Sequence, residues 1–283
     1  KPKKNKFVKS GKFLMNKRLG GQASKRDIID AVHYQHGEKI SRNKLCKIFK
    51  WDPKKHISLI LANDLTDGVT IGRNIKSSFN DNLSWLLYLI NQAKNQKNIN
   101  WIIKEHPSDE HKKVKKGTKY YFKKLLNNNN VKLFPKNYSA RSLKFIVNSV
   151  FSDHGSAGLE YPFCNIPCIT SSESLYHGLG FTHELENKNQ IKNVIKNYKK
   201  FVFLKKIDKN KYDLLCIFLD IYIKKSRIEI NMPFYDPSAR ADHDLFIKKL
   251  YFRYSLKKGF YNKLFHAKLK NQLANNYRHT LNI

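Results

Sequence analysis

The stretch FSDHGSAGLEYPFCNIPCITSSESLYHGLG, residues 151–180, decides how this chain is read. It runs as a strand end, a turn of small residues, a short helix and a second strand, closed by a glycine-containing loop. Asp153, His154, Ser156, Glu160, Ser171, Ser172, Glu173 and His177 crowd polar side chains into that one span. Such a density at a strand-to-helix junction is where an α/β domain binds a phosphorylated ligand.

The segments around it support that class. Residues 56–62 are a short apolar, β-branched run ended by Asn63 and Asp64, hence a strand buried on both faces. Residues 101–104, 131–134, 149–152 and 166–170 read as further strands. Between them, Asp81 or Asn82 caps a helix through Ala93 with Leu83, Leu86, Leu87 and Ile90 inward. A helix is expected around residues 120–126, and Ser139 caps another over residues 140–147. Alternating strands and helices give a Rossmann-like parallel sheet covered on both faces.

Upstream, residues 1–20 are basic with little periodicity and read as a tail. Ser24 caps a helix carrying Ile28, Ile29 and Val32, and a second starts at Ser41 with Leu45, Ile48 and Phe49 inward, ended by Pro53. After Gly180 the sheet pattern fades. Helices are expected over residues 186–198, 209–225 (Leu214, Leu215, Phe218 and Ile221 inward) and 244–254, with a linker at 233–237. The expected domains are therefore a lead-in of residues 1–50, a nucleotide-sugar-binding domain of 51–200 and a helical, Lys-rich region of 201–283.

Hydrophobic residues make up 41% of the 283, ample for a core and against wholesale disorder. Lys and Arg number 55 against 22 acidic residues, a formal net charge of +33. That invites an anionic partner, whether nucleic acid, lipid surface or phosphorylated substrate. A Lys-, Asn- and Ile-rich composition of an AT-rich genome accounts for it equally well. Cys164 and Cys168 form a lone CxxxC with a proline between, a weak zinc pattern better read as packing, so no metal site is expected. No apolar run approaches ~18 residues, which argues against a transmembrane helix and a secretory signal. The cysteine usage fits a reducing cytoplasm. The chain opens on Lys1, so residues are expected upstream.

Three polar clusters end predicted parallel strands: residues 63–68, 105–107 and 153–160. Carboxyl ends of parallel strands share one rim, so the clusters converge. His106, fixed in an extended backbone by Pro107, can donate to a phosphate oxygen. A loop histidine satisfied by backbone is the competing reading. Gly155, Ser156, Ala157 and Gly158 offer backbone N–H groups at a helix start, and Glu160 can accept from ribose hydroxyls. An ordinary tight turn with a solvent-facing Glu competes. No GKS or GKT follows, which disfavours a P-loop. Asp64 or Asp67 can act as general base or simply form Asx turns. His177 can reach the same rim.

The order of these motifs resembles a known family. NDLTDG at residues 63–68, EHP at 105–107, GSAGLEYP at 155–162, IPCI at 166–169 and YHGLGFT at 176–182 are similar to the nucleotide-binding, C-terminal half of GT-B glycosyltransferases. The resemblance is to the bacterial capsule and surface polysaccharide biosynthesis type, with Kdo-transferase-like and CDP-glycerol glycerophosphotransferase-like relatives. KRLGGQ at 17–22 and FKWDP at 49–53 resemble that family's lead-in. The resemblance implies that His106 contacts donor phosphate, the turn from Gly155 to Gly158 holds the phosphates, and Glu160 holds the ribose. It further implies a CMP- or UDP-linked sugar donor, a glycan or lipid-linked glycan acceptor and no other cofactor. Metal-independent transfer and a peripheral place at the inner membrane face complete the expectation. Little of an N-terminal acceptor domain is visible, so Asp67 as base is the weakest assignment. Glycerol-phosphate transfer and a basic nucleic-acid-binding protein are the alternatives.

Overall fold

The structure, a computed structural model, describes residues 2–20, 37–65, 77–106, 118–125, 129–198 and 207–224. The expected helices at 24–32 and 244–254, the linker, Asp67 and Pro107 lie outside these. Contacts divide the chain into two compact units, Lys1–Leu219 and Asp220–Ile283. The first holds the whole sheet, and the described part of the second is the end of one helix, residues 220–224.

The elements are α1 (Pro2–Gly20), α2 (Arg42–Phe49), β1 (Ile57–Leu61), α3 (Asn82–Asn95), β2 (Asn100–Lys104), α4 (Thr118–Leu125) and β3 (Val131–Leu133), then a 3₁₀ helix (Ala140–Phe145). They continue with β4 (Ser149–Ser152), α5 (Ala157–Phe163), β5 (Cys168–Thr170), β6 (His183–Glu184), α6 (Lys188–Lys196) and α7 (Lys209–Lys224). The six strands form one sheet in the order β3-β2-β1-β4-β5-β6, every pairing parallel. The α/β fold expected from the sequence is the one observed.

Side chains alternate across each strand, so the near-continuous apolar runs supply two cores. On one face Ile60, Trp101, Ile103, Phe151 and Ile169 pack with Trp85, Leu86, Leu89, Ile90 and Ala93 of α3 and with Ile191, Val194 and Ile195 of α6. On the other, Ile57, Leu59, Ile102, Val150 and Cys168 pack with Leu45 and Cys46 of α2, Leu143, Ile146 and Tyr161. Caps form as read: Ser41 accepts from Lys44 N, and Asp81 makes a reciprocal capping box with Ser84.

Several expectations are corrected. Residues 2–20 form a helix and not a tail, with Met15 buried and Lys4 paired to Asp213 at 3.2 Å. A Cβ on Gly11 would sit 1.7 Å from the Cys216 carbonyl oxygen, so only glycine lets α1 come this close to α7. The segment after Ser139 is 3₁₀ and stops at Phe145. Ile48 and Leu214 are exposed, and Leu83 and Leu87 are only half-buried, because α3 turns Trp85 and Leu89 inward instead. β6 was not expected at all. Two residues on a sheet edge carry too little pattern to read. Among the described residues, no helix is long and apolar enough to cross a membrane.

Candidate functional site

Strand register builds the site. Leu61 lies opposite Lys104 of β2 and Ser152 of β4, so the next residues of all three strands emerge side by side. Asn63 and Asp64 follow β1, Glu105 and His106 follow β2, and Asp153 and His154 follow β4. The expected convergence of three polar clusters on one rim is therefore a consequence of parallel pairing.

Asp153 organises the centre of that rim and is 1% exposed. Ser172 Oγ donates to its Oδ1 at 2.6 Å, and His154 Nδ1 lies 3.0 Å from its Oδ2. Its backbone carbonyl accepts from Ser171 N and Ser172 N, tying the end of β5 to that of β4. Ser172 Oγ is also 2.8 Å from Ser77 Oγ, and Trp85 Nε1 donates to Ser171 Oγ at 2.9 Å. On the β1 side the Asn63 amide lies 3.3 Å from His154 Nδ1, and Asn82 donates to the Asp64 carbonyl at 2.7 Å. Buried polar groups this fully satisfied set a rigid rim.

The glycine turn comes directly after His154. Gly155 has φ +98° and open space where a Cβ would be, so it supplies conformation and access together. Ser156 makes no side-chain capping bond to α5. Ala157 and Gly158 are buried, and a Cβ on Gly158 would meet the Tyr176 hydroxyl at 2.1 Å. That hydroxyl donates to the Gly155 carbonyl at 2.6 Å, and burial pushes its pKa up. Gly158 therefore seats Tyr176 beneath the turn.

Glu160 is half-buried and its Oε1 accepts from Arg18 Nε of α1 at 2.9 Å. Around it lies an open cleft lined by Arg18, Leu19, Ala140, Arg141, Lys144, Glu160, Tyr161 and Cys164. His106 is half-buried at the end of β2. His177 is exposed, and its Nδ1 lies 3.4 Å from Glu184 Oε2 on β6. Glu184 also accepts from Gly178 N, which fixes the loop. Burial pushes the Cys164 and Cys168 thiols up, Cys168 being fully enclosed, which suits packing and disfavours thiolate chemistry. No group of three or more His, Cys, Asp or Glu residues suited to a metal ion occurs among the described residues.

Two features escaped the residue-by-residue reading. The Asp153–His154 pair lies within residues 151–180, and an Asp-His dipeptide at a strand end was its only signal. Arg18 stood only within the lead-in motif at 17–22, with nothing to link it to Glu160, 142 positions away.

Comparison with solved structures returns distant matches. Thermosulfurimonas dismutans KpsC, a β-Kdo 2,4 transferase, is 12% identical, covering 75% of this chain and 55% of that one, at a TM-score of 0.42. UDP-GlcNAc 2-epimerase from Methanocaldococcus jannaschii is 18% identical over 59% of this chain and 44% of that one, at 0.36. The C-terminal domain of the group 1 glycosyl transferase LpcC from Francisella tularensis is 12% identical over 68% and 96%, at 0.35. The chain thus spans about half the length of the KpsC structure. No curated protein sequence matches significantly. The family model for capsule polysaccharide biosynthesis proteins matches residues 21–210, which hold the whole six-stranded sheet, its rim and the glycine turn. By that match over well more than half its length, the chain belongs to the capsule polysaccharide biosynthesis protein family.

Proposed function

We propose that this chain binds a nucleotide-activated sugar, CMP- or UDP-linked, at the rim and transfers the sugar to a hydroxyl of a capsular or lipopolysaccharide-type glycan. The observation that carries the reading is the register of β1, β2 and β4. It sets His106, the Gly155 turn and the Asp153 network on one edge, in a member of this family. In the proposal the backbone at Gly155, Ser156, Ala157 and Gly158 holds the donor phosphates. Glu160 takes the ribose hydroxyls with its carboxylate steadied by Arg18, while His106, next to Pro107 in the sequence, closes the phosphate side. His177 stands at the margin of the same region. The reaction is an in-line displacement at the anomeric carbon, its leaving phosphate stabilised by fixed donors and cationic side chains without a metal. Asp64 follows β1 on the rim, and it or Asp67, three residues further along the sequence, serves as the carboxylate for the acceptor proton. The excess of Lys would hold the protein on an anionic lipid surface, where lipid-linked acceptors reside.

The test is a thermal-shift screen with CMP, CDP, UDP, GDP and a short oligonucleotide at two salt concentrations. The reading expects at least one nucleotide to stabilise the protein and Glu160→Ala or His106→Ala to abolish the effect. Stabilisation by oligonucleotide alone, steeply salt-dependent, would replace it with nucleic-acid binding.

A further inference from the structure

The acceptor proton needs a destination, and the structure offers one besides the carboxylates. We propose that His154 is the general base of the transfer and that Asp153 positions it; this rests on the transferase reading above. A buried carboxylate oxygen faces Nδ1 of His154 at 3.0 Å, closer than the Asn63 amide nitrogen at 3.3 Å, which has Asn82 Oδ1 as its own acceptor, so Nδ1 carries the proton and donates to Asp153. In the neutral ring the lone pair then sits on Nε2. Nε2 meets no partner among the described residues, and the side chain is 17% exposed. A histidine whose one nitrogen is fixed by a buried acid and whose other is open is the arrangement by which a weak nucleophile is activated.

Its place fits the task. His154 follows β4 and touches Asn63 after β1, the two central strands of the sheet, and is followed directly by the open Gly155 turn. Asp153 keeps its own orientation through Ser172 and through the Ser171 and Ser172 amides, so the ring is aimed by a fully anchored acid. Asp64, by contrast, is only 9% exposed. In the step, the acceptor hydroxyl gives its proton to His154 Nε2 while its oxygen bonds to the anomeric carbon. The bond from that carbon to the donor phosphate oxygen breaks, and the electron pair leaves with the nucleotide.

The test uses the full chain with a panel of CMP- and UDP-sugars and follows nucleotide release, together with nucleotide binding by thermal shift. His154→Ala and His154→Gln are expected to bind nucleotide as the wild type does and to lose about 10²–10⁴-fold in turnover. Added imidazole should restore part of the rate in His154→Ala, a rescue that a merely structural role would not give. Asp153→Asn should lower turnover at unchanged nucleotide binding. If His154→Ala turns over within a few-fold of wild type, or if Asp67→Asn shows the loss instead, the assignment is wrong. Loss of turnover without imidazole rescue, or loss of nucleotide binding in both His154 variants, gives the residue a structural role and also overturns it. If the wild type binds no nucleotide, the donor-site reading itself fails. If it binds nucleotide but turns over no donor, the transfer step falls and the base falls with it, while the binding site stands.

Discussion

Two histidines, one buried and one half-buried, mark opposite ends of the same central strands. His56 precedes β1 and His154 follows β4. His56 is 6% exposed, its Nε2 lies 3.0 Å from Ser149 Oγ, and that hydroxyl is 2.7 Å from Ser58 Oγ. Burial, and then the nearby Arg42 guanidinium, push its pKa down to about 4. Arg42 itself is spent on structure: it donates to the carbonyls of Pro53, Lys55 and Ile146 and to the Asn148 amide. His154 meets a carboxylate on one nitrogen, and its other nitrogen meets no partner among the described residues. The residue type is the same, but its neighbours differ in sign. A cation and hydroxyls hold a neutral imidazole as packing material, whereas an acid aims an imidazole at whatever enters the rim. The amino ends of the strands are locked for stability, and the carboxyl ends carry the groups that the proposed function uses.

The sharpest way to break this contrast is to remove the acid. Asp153→Ala leaves the His154 Nδ1–H without its acceptor and takes from the buried Ser172 hydroxyl the shorter of its two contacts, leaving Ser77 Oγ, at about 1–3 kcal/mol each. The expected loss is about 4 kcal/mol, seen as a fall in melting temperature on the order of 10 °C. A fall of only a degree or two would mean that the rim is not organised by Asp153.

The next largest effect belongs to His56 and separates the two ends by pH. Its folded pKa of about 4 lies below the ordinary 6.5, so the unfolded chain binds the proton more readily. The stability it supports is complete above about pH 6.5 and is lost as pH falls toward about 4, by roughly 3 kcal/mol at most. Chemical denaturation across that window should show a steeper slope for the wild type than for His56→Gln. Equal slopes would remove His56 as the acid-sensitive element.

The smallest effect sharpens the comparison from the other side. His154→Ala should cost only about 1 kcal/mol, since its side chain is partly exposed and Asp153 keeps its bond from Ser172. A loss as large as that of Asp153→Ala would make His154 a structural residue like His56.

Much of the fold and rim is legible in the sequence because the signals are local. Continuous β-branched runs of four or five residues, Asp81 and Ser41 as caps, and polar residues at strand ends gave the elements and the rim. Inward faces are harder to read where a helix offers more apolar residues than its neighbours can cover. In α3 the bulk of Trp85 sets the rotation and leaves Leu83 and Leu87 half-buried. The helix over residues 2–20 escapes a sequence reading because little in its own pattern marks it. What marks it is the partner surface, where Gly11 admits the Cys216 carbonyl and Met15 is buried. Gly158 reads as a backbone N–H donor to phosphate, whereas in the structure its N–H lies 3.3 Å from the Gly155 carbonyl and its missing side chain clears room for Tyr176.

The α/β class, the order of the first five strands along the chain and the family follow from the sequence, since each rests on residue types at short spacing. Only the tertiary structure decided the spatial strand order, and with it the neighbours of each polar group. The order β3-β2-β1-β4-β5-β6 places residue 63 beside 154 and residue 153 beside 172. Docking of α1 sets Arg18 on Glu160. Those pairings are long-range, and no spacing rule encodes them. They come from burying two apolar faces of one sheet, which fixes the register and so sets Asn63 and Ser172 against the Asp153–His154 pair.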